Sequence, residues 1–183
     1  MPVDALQDWK DELENLPKVS DSSWSLNFAE WYADRIVNIE ADSLVLDTSA
    51  GFLFTFAEAT FALALSSLAP TTDPVAGITN FATAWEGAIL ASIVVVSPGA
   101  FIPPSSPATI FSVVTGTVID PPSIAAAKAK IIELSSSSPV DDPQDSEFPV
   151  KFREATLLLT ITVTGLNSAP TPVPLVAPLV PLL

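Results

Sequence analysis

Eighteen prolines punctuate this chain of 183 residues, and their spacing confines it to short elements. Proline lacks a backbone N–H and clashes with the preceding helical turn, so each one opens an element, closes it, or lies between elements. Pro17 closes a first helix in which Leu6, Trp9, Leu13 and Leu16 recur at helical spacing and Asp4 with Gln7 forms a capping-box-like start. Asp73-Pro74 and Asp120-Pro121-Pro122 each read as an N-cap followed by a first-turn proline, a position where the missing N–H would have had no intrahelical acceptor. Asp142-Pro143 repeats the device.

Between these marks the side-chain periods assign the elements. Trp24, Phe28, Trp31, Tyr32 and Arg35 mark one stripe of a second helix reaching about Glu40, followed by a brief extended stretch at 43–47. A third helix over 56–68 is apolar nearly all round, which predicts a segment buried on every side at the centre of the fold. Phe81, Trp85, Ala88, Ile89 and Ser92 continue at helical spacing after Pro74, and further helices are expected over 123–134 and 148–158. The β-branched runs 93–96, 109–119 and 159–164 are expected to be extended and to pair in part, with 109–119 a bent strand or hairpin around Gly116 and 101–107 a proline-rich loop.

The expected fold class is α+β, mainly α: stacked helical hairpins, a few short strands in a small sheet, and an extended proline-rich C-terminal arm. One domain over 1–169 and an arm over 170–183 follow. Within the domain a weak repeat can be drawn over 4–47, 52–97 and 121–165. Its mark is an aromatic pair four residues apart, as Trp24 and Phe28, Phe81 and Trp85, Phe148 and Phe152, with Trp31, Ala88 and Ala155 three residues beyond.

Composition narrows the chemistry. The absence of Cys removes disulfides and thiolate metal sites, and the absence of His removes the commonest general base and metal ligand. The net charge of −14 is uneven: residues 1–47 hold eleven acids against Lys10, Lys18 and Arg35, whereas 48–119 hold only Glu58, Asp73 and Glu86 and no base. Seven scattered basic residues on so acidic a chain argue against direct nucleic-acid binding and against an anionic membrane surface. The six glycines, at 51, 77, 87, 99, 116 and 165, form neither a phosphate-cradling loop nor a dinucleotide fingerprint.

Mean hydropathy of +0.47 raises the membrane question. The segment 48–69 approaches spanning length, but Glu58 near its centre costs roughly 2.5 to 3.5 kcal/mol in hydrocarbon, and prolines break 87–119. A membrane-associated protein using 48–69 or 87–96 is the alternative reading, and no export signal is expected at the N-terminus. Asp141, Asp142, Asp145 and Glu147 could offer oxygens to calcium but lack a glycine-centred turn, so a solvated loop and helix cap is preferred. Lys128 and Lys130 near Ser135 to Ser138 lack the strained elbow of a Ser-Lys nucleophile. Glu58 and Glu86 are expected to be paired or solvated, with Arg35 or Arg153 as candidate partners. An enzyme of carboxylate type would need Glu58, Glu86 or Asp120 to converge. No catalytic residue, metal ligand, cofactor or small-molecule substrate is assigned.

Three stretches carry a resemblance: Phe81-Ala-Thr-Ala-Trp85-Glu-Gly-Ala88, Ile93-Val-Val-Val-Ser-Pro-Gly99 and the tail Thr171-Pro-Val-Pro-Leu-Val-Ala-Pro-Leu-Val-Pro-Leu-Leu183. An aromatic, Ala-rich helix running into a β-branched segment, with a Pro/Thr/Ala-rich end, resembles virion structural proteins of tailed bacteriophages. The resemblance implies a non-enzymatic capsid-associated, neck or tail-associated subunit, assembled in the host cytoplasm, whose partners are other subunits or further copies of itself. The uncharged tail, with five prolines in its 14 residues, is expected to dock on a neighbouring subunit, or failing that on its own domain, through Pro170, Pro172, Pro174, Leu175, Val176, Leu179, Val180, Leu182 and Leu183.

Overall fold

Two of the three expected Asp-Pro starts, at Asp73 and Asp120, cap the helices they open. In the computed structural model, which describes residues 5–18, 21–36, 45–46, 52–96, 99–102, 109–136, 144, 147–167 and 172–178, Asp73 accepts from the Val75 N–H at 2.9 Å and begins α4 (Pro74–Ala91). Asp120 accepts from the Ser123 N–H at 3.2 Å and begins α5 (Pro121–Ile132), which tightens into a 3₁₀ turn over Glu133–Ser136. The remaining described helices are α1 (Ala5–Glu14), α2 (Trp24–Arg35), α3 (Glu58–Ser66) and α6 (Phe148–Leu157). Asp4, the tail of the second expected helix at 37–40, and Asp141, Asp142 and Asp145 lie outside the described residues.

The fold is α+β and mainly helical, built on a helical hairpin closed at its base by an antiparallel strand pair, and this unit occurs twice. In the first, β2 (Phe52–Thr55) enters α3 and β3 (Ile93–Val96) leaves α4, with Thr55 opposite Ile93 and Phe52 opposite Val96. In the second, β5 (Thr109–Ile119) enters α5 and β6 (Thr160–Asn167) leaves α6, with Ile119 opposite Ile161. A serine secures each base. The Ala57 N–H donates to Ser92 Oγ at 3.1 Å while Ser92 Oγ donates to the Ala88 carbonyl; the Thr160 N–H donates to Ser123 Oγ at 3.1 Å while Ser123 Oγ donates to the Asp120 carbonyl. The backbone groups left over where helix meets strand are thus satisfied inside the chain.

Strands β1 (Val45–Leu46), β4 (Gly99–Ile102) and β7 (Pro172–Pro178) extend the second pair into a five-stranded antiparallel sheet of order β1-β4-β5-β6-β7. It is larger than the small sheet expected. Phe101 and Ile102 belong to β4, not to a loop, because Phe101 pairs with Thr109 of β5 and Ile102 with Val45 of β1, partners that the 101–107 proline content concealed. Strand β2 was not foreseen at all. Strand β5 is one bent strand, with irregular register between Phe111 and Val113 and between Val114 and Gly116. The β2–β3 ribbon reaches it through a side chain, Thr117 Oγ1 donating to the Val94 carbonyl at 2.8 Å.

The core lies where α2, α4 and α6 meet. Phe28 touches Trp24, Trp31, Phe61, Phe81, Phe148 and Phe152 at ring-centroid distances between 5.1 and 6.1 Å. Phe81 lies 5.6 Å from Phe148 and 5.7 Å from Phe152. The three aromatic pairs of the expected repeat therefore converge on one cluster, and Trp31, Ala88 and Ala155 are buried beside it. Edge-to-face geometry recurs, as the ring quadrupole favours. Through this cluster runs a buried relay: Trp85 Nε1 donates to the Tyr32 hydroxyl, which lies 2.9 Å from Thr156 Oγ1, and Thr156 donates to the Phe152 carbonyl. Since Thr156 gives its proton to the carbonyl, Tyr32 is the donor to Thr156, and every member is satisfied.

The centre is not α3. Its buried residues are Phe61 and Leu65, while Leu63 is 71% exposed and Ala59, Thr60, Ser66 and Ser67 face water. An all-round apolar helix was read as one buried on every side; here it is covered on one side only, because α2 and α4 supply the packing and nothing described lies over the rest.

Candidate contact surface

Ladder pairing brings part of the expected docking arm into the chain's own sheet. Pro172, Pro174, Leu175 and Val176 lie in β7, opposite Leu166, Thr164, Val163 and Thr162 of β6. Pro170, Leu179, Val180, Leu182 and Leu183 lie outside the described residues. Over 172–178 the extended segment is an edge strand of the chain's own sheet, and the prolines permit this by parity. Pro172, Pro174 and Pro178 share one phase of the two-residue strand period, so the ladder to β6 needs donors only from Val173, Leu175 and Ala177. The prolines fall at positions whose N–H would point away from β6. That outer edge retains one donor over this stretch, Val176, and is poorly suited to pair with another strand.

The carboxylates singled out from the sequence do not gather. Glu86 meets Lys128 of α5 at 2.6 Å, rather than Arg35 or Arg153. Arg35 pairs with Glu12 across α1 and α2. Asp120 caps α5, and Glu58 lies in the first turn of α3, where the helix dipole favours an anion. Lys130 reaches Glu154 at 3.1 Å and Glu133 at 3.2 Å, while Lys151 reaches Glu133 at 3.7 Å. These contacts, led by Glu154, hold the Lys130 ammonium above its ordinary range. Gln144 donates to Asp11 and Glu14 and accepts from Gln7 and Lys10, which ties this residue to α1. The amides of Gln144 and Gln7 draw the Asp11 carboxyl below the usual value. Among the described residues no three His, Cys, Asp or Glu side chains stand close enough to share a metal ion.

A different surface stands out. Between α3 and α4 runs an open groove of about 340 Å³ lined by Thr60, Ala64, Ser67 and Leu68 on one side and Asn80, Thr83, Ala84 and Gly87 on the other. None of these is charged. On the same two helices Leu63 of α3 and Leu90 of α4 are exposed, although neither lines the groove. Leu90 and Val118 line a smaller cleft of about 200 Å³ where α4, β3 and β5 meet. The outer face of the β2–β3 ribbon adds Ile93, 60% exposed, and Val95, while Phe54 on the inner face is buried.

The sequence reading missed this surface as a site, although its signals were present: the lack of charge from 59 to 72 and an apolar pattern too wide for a helix packed on one side. No family model, no curated protein and no solved structure matches this chain.

Proposed function

We propose that the chain is a non-enzymatic structural subunit of a tailed-phage virion, holding contacts between larger capsid, neck or tail proteins. The observation that carries this reading is the exposure of Leu63, Leu90, Ile93, Val95 and Val118 around α3, α4 and β3 on a chain of net charge −14. Burying each such side chain against a partner contributes roughly 1.5 to 3 kcal/mol, and the lining of the α3–α4 groove carries no charge that would oppose it. The two hairpins share one aromatic cluster, which makes the helical part a rigid block suited to presenting surfaces rather than to closing around a substrate.

The membrane-associated reading has less support. The described part of 48–69 divides into β2 and α3, and 87–96 divides between the end of α4 and β3. Among the described residues no helix is long and apolar enough to cross a membrane. The test is fractionation of cells producing the virion and a tagged copy of this chain. Recovery in density-purified particles at a fixed ratio to the major capsid protein is expected. Recovery solely in the soluble fraction, or solely with lipid, would contradict the proposal.

A further inference from the structure

Trp9 anchors α1 and is fully buried, yet among the described residues its indole N–H finds no acceptor. A buried indole ordinarily donates, and one left without a partner favours any state in which water reaches it. Leu13 is the second buried side chain of the helix, while Gln7, Asp11 and Glu14 are exposed. By contrast α4 buries Phe81, Ala82, Ala84, Trp85, Ala88 and Ile89. The polar ties of α1 gather at two places. Gln144 bonds to Gln7, Lys10, Asp11 and Glu14, and Glu12 accepts from Trp31 Nε1 at 3.1 Å while pairing with Arg35. Ties so open to water add little to what the two buried side chains contribute.

Beneath α1 lie the rings of Trp31, Tyr32 and Phe152, at 5.2, 6.4 and 6.1 Å from Trp9 and all edge-to-face with it. The rest of the body is joined without α1. Phe28 touches Phe61, Phe81 and Phe148, and the relay from Trp85 through Tyr32 to Thr156 ties α2, α4 and α6 together. We infer that α1 is a releasable strap, which opens as a unit while the helical body stays folded and uncovers the aromatic face of Trp31, Tyr32 and Phe152 as it does so. Its opening gives the Trp9 N–H a water partner and exposes two buried side chains of α1, whereas opening α4 breaks both the relay and the shared cluster. The strap belongs to the single chain and does not depend on what the chain assembles with.

Two indole N–H groups report the two events separately. That of Trp31 is bonded to Glu12 on the strap, and that of Trp85 to Tyr32 inside the body. Hydrogen exchange of the full chain, followed by NMR in native buffer and in low denaturant, should show the Trp31 indole and the α1 amides over 9–14 exchanging through one opening. Relative to free indole, the Trp31 group should exchange at least roughly a hundredfold faster than that of Trp85. Gln144→Ala should speed the Trp31 indole by roughly fivefold and leave Trp85 unchanged. Leu13→Ala should speed it by roughly thirtyfold or more, again without moving Trp85. A Trp31 indole as protected as that of Trp85, a Gln144→Ala variant that leaves Trp31 unchanged, or a Leu13→Ala variant in which both indoles speed up alike overturns the inference. So does an opening free energy for the α1 amides that differs from that of the Trp31 indole, since helix and ring would then be freed by separate events.

Discussion

The two hairpins α3–α4 and α5–α6 are built alike and finished differently. Each is entered and left by paired antiparallel strands, each has a helix opened by an Asp-Pro cap, and each sends aromatics into one cluster. Outside that shared frame they diverge. The α5–α6 surface is laced by Lys130, Lys151, Glu133 and Glu154, a pattern that suits water. The α3–α4 surface has a groove with no charge in its lining, and Leu63 and Leu90 are exposed on the same hairpin, which is the surface the proposed assembly would use. A common scaffold therefore leaves the choice between solvent and partner to the outward residues alone.

The largest expected effect falls on what the hairpins share. Phe152 is fully buried and touches Trp9, Phe28, Trp31, Tyr32, Phe81 and Phe148. Phe152→Ala should destabilise the fold by about 3 to 5 kcal/mol in denaturant titration and loosen both hairpins in a single transition. Separate transitions for the two hairpins would break the comparison at its root.

Next comes the relay joining α2, α4 and α6. Tyr32→Phe removes the hydroxyl that accepts from Trp85 and donates to Thr156, and should cost about 1 to 3 kcal/mol. Burial, the main cause, raises the Tyr32 phenol above its ordinary value, and the hydrogen bond it accepts from Trp85 offsets only part of the rise. The neutral phenol is the folded form, so this contribution is fully present below the unfolded pKa of about 10 and is lost as pH rises through the folded value. Tyr32 is the chain's single tyrosine. Phenolate absorbance should consequently appear only with alkaline unfolding, and its appearance in folded protein near its ordinary pKa would show the hydroxyl to be solvated.

A smaller effect sharpens the likeness of the two units. Asp73→Ala and Asp120→Ala each remove one side-chain cap and should lower stability by about 1 kcal/mol each, additively, since they serve different helices. A marked inequality would show that one hairpin depends on its cap for more than the orphan N–H.

Much of the frame was legible because its signals are local. Aromatic spacing in α2, α4 and α6, the Asp-Pro caps and the β-branched runs of β3, β5 and β6 act within a few residues. What escaped depends on partners far along the chain. Strand β2 has the composition of a helix approach and is extended because β3 lies beside it. Strand β7 reads as a proline tail until its proline parity is set against β6. Helix α3 was placed at the centre because apolar residues on all sides imply burial, and periodicity cannot say whether the cover comes from the same chain. The groove was missed for the same reason, since residues 60–68 and 80–87 face one space only once α3 and α4 are folded together.

Hydroxyl-radical footprinting of the full chain, free and within purified virions, tests most directly whether one hairpin is finished for contact and the other for water. Leu63 and Leu90, both well exposed in the single chain, should be labelled in the free chain and protected in the particle, while Leu157 and Leu158 at the end of α6 are labelled equally in both. Equal labelling of all four in both states, or protection confined to Leu157 and Leu158, would contradict the account.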